Sequence, residues 1–169
     1  MNHLEPPDSH YLRAAIGWLE LGNLWEANDE LKKIAPRNRT HPDVLKVRLE
    51  VFTVEENWKA CLDIAEAVIK AEPDKPFGWL RRSYSLRRVP NGGLQAAFDA
   101  LLPAVGRFPR DSLIPFNLAC YACQMGHLED ARQWLKRAME VGGTDKIKRM
   151  ALSDPDLSPL WEEIGNLGL

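Results

Sequence analysis

Cys120-Tyr121-Ala122-Cys123 is the stretch of this 169-residue chain whose residue types and spacing come nearest to chemistry. Two thiols so spaced can ligate zinc or cycle between dithiol and disulfide. Zinc needs a second ligand pair, and Cys61 is the sole other cysteine. A redox pair of this type opens a helix that follows a strand, whereas this one lies in the middle of a helical pattern. The plainer reading is two small apolar residues lining a helix, with thiol redox sensing through Cys120 and Cys123 as the alternative. His3, His10, His41 and His127 sit at an end or at turns and read as solvent-exposed. There is no Gly-rich phosphate loop, no dinucleotide fingerprint, no nucleophile elbow and no His-Glu-x-x-His. No enzymatic activity, cofactor or metal is expected.

Charge supplies the second candidate. Residues 73–112 carry Lys75, Arg81, Arg82, Arg87, Arg88, Arg107 and Arg110 against Asp74, Asp99 and Asp111, a surplus of four positive charges in a chain of net −2. A solvated basic face explains this most simply. The functional reading is a partner bearing carboxylates, which guanidinium groups bind in a bidentate way. Glu50, Glu55, Glu56 and Glu129 interrupt any continuous basic stripe. That weighs against nucleic acid, and an RNA-associated repeat using the arginines stands as an alternative.

These residues must be positioned by helices. In 128–141, Leu128, Ala131, Leu135, Ala138 and Met139 form one apolar stripe at the 3.6-residue period, with charged residues on the other faces. Gly142-Gly143 supplies a stop. The preceding helix starts after an N-cap assigned to Ser112 rather than Asp111, so that Pro115 falls in the first turn, where no N–H is needed. Gly126 ends it. The columns Leu128, Ala131, Leu135 and Ala138 recur as Leu94, Ala97, Leu101 and Ala104, as Trp58, Cys61, Ala65 and Val68, and as Leu24, Ala27, Leu31 and Ile34. The copies start 34, 36 and 34 residues apart, the extra two lying in Asn91-Gly92-Gly93. Pro103 is expected to kink its helix near 99–103.

The period, the turn Gly22-Asn23-Leu24-Trp25-Glu26-Ala27, the interval from Trp58 to Pro73 and from Leu94 to Pro109, and Trp79 together resemble the tetratricopeptide repeat. Cys61, Arg48, Arg82 and Pro36 depart from the family pattern. The resemblance implies an all-α, right-handed α-solenoid of about four tetratricopeptide-type helix pairs plus a C-terminal capping segment. The units are a lead-in at 1–7, repeats at 8–39, 40–75, 76–110 and 111–143, and capping helices at 144–169. The lead-in reads as loosely held, and Asp8 or Ser9 caps the first helix. Leu160, Trp161 and Ile164 form the packing side of the terminal helix.

The resemblance further implies that first helices line a concave groove that holds a partner. Its residues would be Leu12 and Ile16, then Lys46 and Glu50, then Arg81, Tyr84 and Arg88, then Asn117, Cys120 and Gln124. Leu19, Val47 and Val54 extend the apolar floor. The family's terminal-carboxylate clamp is incomplete in every run of three copies. The expected function is a non-catalytic scaffold, adaptor or chaperone-like carrier for a protein or peptide, with an acidic one favoured by the arginines. Exposed repeat ends can pair, which allows a homodimer. Near-neutral charge, no apolar run of 18 residues and no leader-like N-terminus argue against nucleic acid, membrane and secretion. A cytoplasmic setting with reduced thiols is expected.

Overall fold

The computed structural model describes residues 3–166, which are helix and turn throughout, with no strand among them. The chain forms two compact units, residues 1–73 and 74–169. Each is built from antiparallel helix pairs, because a single amphipathic helix has nowhere to bury its stripe.

In the first unit α1 (Asp8–Glu20) pairs with α2 (Leu24–Lys33), and α3 (Pro42–Val54) pairs with α4 (Trp58–Ala71). Between the pairs runs a turn of 3₁₀ helix, Pro36–Asn38. In the second unit α5 (Phe77–Leu86) pairs with α6 (Leu94–Leu101), and α8 (Leu113–Gln124) pairs with α9 (Leu128–Gly142). The helix begun by α6 breaks at Leu102-Pro103 and resumes as α7 (Ala104–Arg107). The cause is the expected one, since Pro103 has no N–H to offer Asp99. Next come α10 (Thr144–Ser153), 3₁₀ turns at Pro155–Leu160, and α11 (Trp161–Asn166).

The repeated columns explain the packing. The three later positions of each stripe are almost fully buried in every copy: Ala27, Leu31 and Ile34; Cys61, Ala65 and Val68; Ala97, Leu101 and Ala104; Ala131, Leu135 and Ala138. Ala104 keeps its place in the column although the helix is broken two residues before it. Small residues at these columns let the paired helix approach closely. Between paired helices the chain turns through a left-handed residue: Gly22, Glu56, Asn91 or Gly126. Glycine takes that conformation at no steric cost, whereas Glu56 adopts it at φ 53°. Asn23 and Asn57 then accept from the N–H of Glu26 and Ala60 and cap α2 and α4.

α8 is the centre of the second unit. One side, Ile114, Leu118 and Tyr121, packs with Ala97, Leu101 and Ala104. The other, with Phe116, Ala119, Cys120 and Cys123, packs with α9, α10 and the cap residues Leu157, Leu160 and Ile164.

Four local expectations need correction. The described part of the lead-in, residues 3–7, is anchored by Leu4, which is buried in the first unit's core with Leu12, Ala15 and Val44. Asp8 does not cap α1; its buried carboxylate accepts from the N–H of Ala35 and from Asn38 Nδ2 at 2.7 Å, satisfying the link that follows α2. α8 does begin after Ser112, but the capping oxygen is Asp111 Oδ1, which accepts from the N–H of Leu113 and Ile114. In the cap, Leu157 takes the buried place expected of Trp161, which stays exposed while its Nε1 donates to Ala151 O.

Candidate functional site

In the first unit, the outward faces of α1 and α3 wall an open hollow of about 380 Å³ lined by Ile16, Leu19, Glu20, Lys46, Val47, Glu50 and Val54. The helical period accounts for the set: 16, 19 and 20 lie on one face of α1, and 46, 47, 50 and 54 on one face of α3. Ile16 is 38% exposed and Val54 61%. Glu20 is the one lining residue that the sequence reading did not name. Leu12, expected in the same surface, is only 8% exposed and belongs to the core with Leu4 and Leu31. It lies a full turn nearer the packed N-terminal segment.

Lys46 is not an open cation. Its Nζ lies 2.7 Å from Glu72 Oε2 and 3.5 Å from Asp43 Oδ1, and the Glu72 side chain is fully buried at the end of α4. A buried carboxylate demands a partner, so Lys46 is committed to the fold. His41 is likewise drawn in. It precedes α3, its Nδ1 accepts from the N–H of Asp43, and its side chain is only 14% exposed, against the expectation of an exposed turn residue.

In the second unit, α5 and α8 present Tyr84, Arg87, Arg88, Asn117, Cys120 and Tyr121 to a polar hollow of about 300 Å³. Its remaining wall is Asp154, Pro155 and Asp156 from the chain's own cap. Arg87 forms a two-pronged ion pair with Asp156, one arm of 2.9 Å. Hydrogen bonding to Asp156 holds its guanidinium still further up its already high range. Gln124 Nε2 donates to Asp156 O at 2.9 Å. Asp156 of the chain's own cap therefore already holds Arg87, one of the arginines counted in the basic surplus. Cys120, expected in an open groove, is buried for the same reason: the cap lies against this side of α8.

Arg81, Arg82 and Arg88 are also engaged within the unit. The Arg81 guanidinium lies 5.3 Å from the Phe77 ring centre, and that of Arg88 lies 3.6 Å from the Tyr84 ring centre. Arg88 donates to Tyr84 O and Arg82 to Ala100 O. Asn117 Nδ2 donates to Leu113 O. Tyr84, Arg81, Arg88 and Asn117 stay partly exposed, and Gln124 is exposed.

Sγ of Cys120 and carboxylate oxygens of Asp154 and Asp156 lie within 4.8 Å of one another, a spacing suited to a metal. The chemistry of the set favours another use. Asp156 is neutralised by Arg87. Burial, then Asp154 and Asp156, push the Cys120 thiol far above its ordinary range, and burial also raises Cys123. A protonated thiol donating to Asp154 satisfies these atoms without an ion. Such thiols are also poor nucleophiles and slow to oxidise.

No family model matches the chain, and none of the curated proteins does. Solved structures do match. TTC0263, a thermophilic TPR protein of Thermus thermophilus, is similar with a TM-score of 0.70 at 18% identity, over 95% of this chain and 84% of that one. MamA from Desulfovibrio magneticus RS-1, from residue 41 to its end, gives 0.68 at 16% identity, over 98% and 97%. A double mutant of MamA RS-1 gives 0.67 at 18% identity, over 90% and 81%. At these identities the likeness concerns the fold, which is all-α and of the tetratricopeptide-repeat kind.

Proposed function

We propose that this chain is a protein-binding module without catalysis of its own, a scaffold, adaptor or chaperone-like carrier that takes a partner segment on the outward faces of its first helices. The observation that carries this is the hollow between α1 and α3. Four of its seven lining residues are apolar, and Ile16 and Val54 remain in contact with water in the chain by itself. Covering apolar surface of this kind is the main driving force of association. The second unit by itself offers the exposed parts of Arg81, Tyr84, Arg88, Asn117 and Gln124 as contact residues, although Arg87 is already used by the cap. Among the described residues no helix is long and apolar enough to cross a membrane. The free cysteines suit a reducing, cytoplasmic setting.

The test is capture from the source lysate with the native chain and with Ile16→Asp/Val54→Asp, followed by mass spectrometry. Both side chains are exposed, so the variant should melt within a few degrees of the parent and lose specific partners. An identical partner set on a folded variant would overturn the assignment of this hollow.

A further inference from the structure

We infer that the edge of the first unit around Trp25 is a contact surface separate from the hollow, and that it takes a segment in which Lys or Arg flanks an apolar side chain.

Trp25 is the second residue of α2, one position past the stripe that Leu24 opens, so the helical period turns its ring away from the core. It is 73% exposed, and Leu21, at the end of α1, is 76% exposed. Among the described residues Trp25 meets no other ring and no cation. A Trp so placed, beside a second large apolar side chain, is the type of residue that anchors contacts between proteins.

The fold sets the charge around it. Asn28 lies one turn after Trp25 on the same face of α2, and its Nδ2 donates to Glu55 Oε1 at 3.0 Å. That bond lays the turn 21–23 beside the turn 55–57, so Glu55 and Glu56 join Glu20 at the edge that carries Leu21 and Trp25. All three acids are exposed, and among the described residues none of them is in an ion pair. Residues 14–31 contain no Lys or Arg, and neither do residues 51–58. Of the cations that flank these stretches, Lys32 and Lys59 are paired with Asp29 and Asp63. Arg13 and Arg48 each precede the nearest of the three acids by seven residues, roughly 10 Å along their helices.

An apolar anchor ringed by uncompensated carboxylates fits a cationic segment. A guanidinium or ammonium group is attracted both to the face of the indole and to the acids beside it. The same acids repel a partner rich in carboxylates and an anionic membrane surface. The wider field agrees, since residues 1–73 hold nine Lys and Arg against thirteen Asp and Glu, a net of −4.

The experiment is selection of a phage library of random 12-residue peptides on the intact chain, with subtraction on Leu21→Ser/Trp25→Ala. Both side chains are exposed, so this variant keeps the fold, as circular dichroism will show. Peptides kept by the native chain alone are expected to pair apolar residues with a net positive charge. By fluorescence anisotropy they should bind Trp25→Ala about tenfold more weakly or worse. They should bind Glu20→Gln/Glu55→Gln roughly three- to tenfold more weakly, a loss that high salt removes. Trp25-dependent peptides that are neutral or acidic, or whose affinity ignores the two glutamates, would overturn the inference. So would recovery of no Trp25-dependent peptide. A native dimer that the variant dissolves in sedimentation, or flotation with phosphatidylcholine vesicles that the variant loses, would overturn it by giving the patch to a second copy or to lipid. The hollow is tested on Ile16 and Val54 instead, so either reading can fail alone.

Discussion

Lys46→Met separates a structural charge from a ligand-binding one. In the native chain the Lys46 ammonium sits 2.7 Å from Glu72, whose side chain is wholly buried, while Lys46 itself is 26% exposed. Removing the cation takes the counter-charge at 2.7 Å from a carboxylate that water does not reach. Breaking a fully buried pair from one side costs about 3–5 kcal/mol; the partial exposure of Lys46 lowers the expectation to ~2–4 kcal/mol. For a chain of this length that corresponds to a drop in Tm of roughly 5–12 °C. Glu72→Gln should cost less, about 1 kcal/mol, because the cation left behind keeps solvent and Asp43, 3.5 Å away. The double variant should recover most of the loss, with a coupling energy above about 1 kcal/mol. Thermal melts followed by circular dichroism on the four proteins measure this. A Lys46→Met melt within a degree or two of the parent, or a double variant equal to the sum of the singles, would refute the reasoning.

Three further outcomes follow from the geometry. Asp156→Asn removes the acid that Arg87 grips between cap and α5, and should lower stability by about 1–3 kcal/mol, read as a shift of the urea midpoint without unfolding the rest of the unit. Glu56→Gly should stabilise by roughly 0.5–1 kcal/mol, since glycine relieves a left-handed residue at the turn before α4; a destabilised variant would count against the strain argument. The thiols of Cys61, Cys120 and Cys123 are buried and should react with a thiol reagent only once the chain is unfolded. For Cys120 and Cys123 the folded pKa lies above the ordinary value of 9.0, so their share of stability is intact below that pH. It is lost as the pH climbs further, because the unfolded thiols ionise first. Rapid native labelling at pH 8, or stability that rises with alkali, would contradict this.

Much of the fold was legible because helix pairing follows from periodicity, which is a property of the chain alone. The column Ala27, Cys61, Ala97 and Ala131 needed no coordinates to be read as buried within each helix pair. The bounds of α3 and α4, at Pro42–Val54 and Trp58–Ala71, came from breakers and turn residues. The break before α7 came from the missing N–H of Pro103. The hollow's floor of Ile16, Leu19, Val47 and Val54 was readable too, since faces not used for packing are fixed by the same period.

What spacing could not convey is which distant charge meets which. Arg87 and Asp156 are 69 residues apart, and nothing local marks them as a pair. Arg87 therefore reads as part of a surface awaiting an acid, when the cap supplies its acid internally. Lys46 with Glu72, and Asp8 with Ala35 and Asn38, were hidden in the same way. Helix identity and apolar registry depend on neighbours within a few residues, so they are written along the chain. Burial of α8 under the cap, and the pairing of ions that burial compels, depend on long-range packing. Only the folded molecule decides which charged groups remain for a partner.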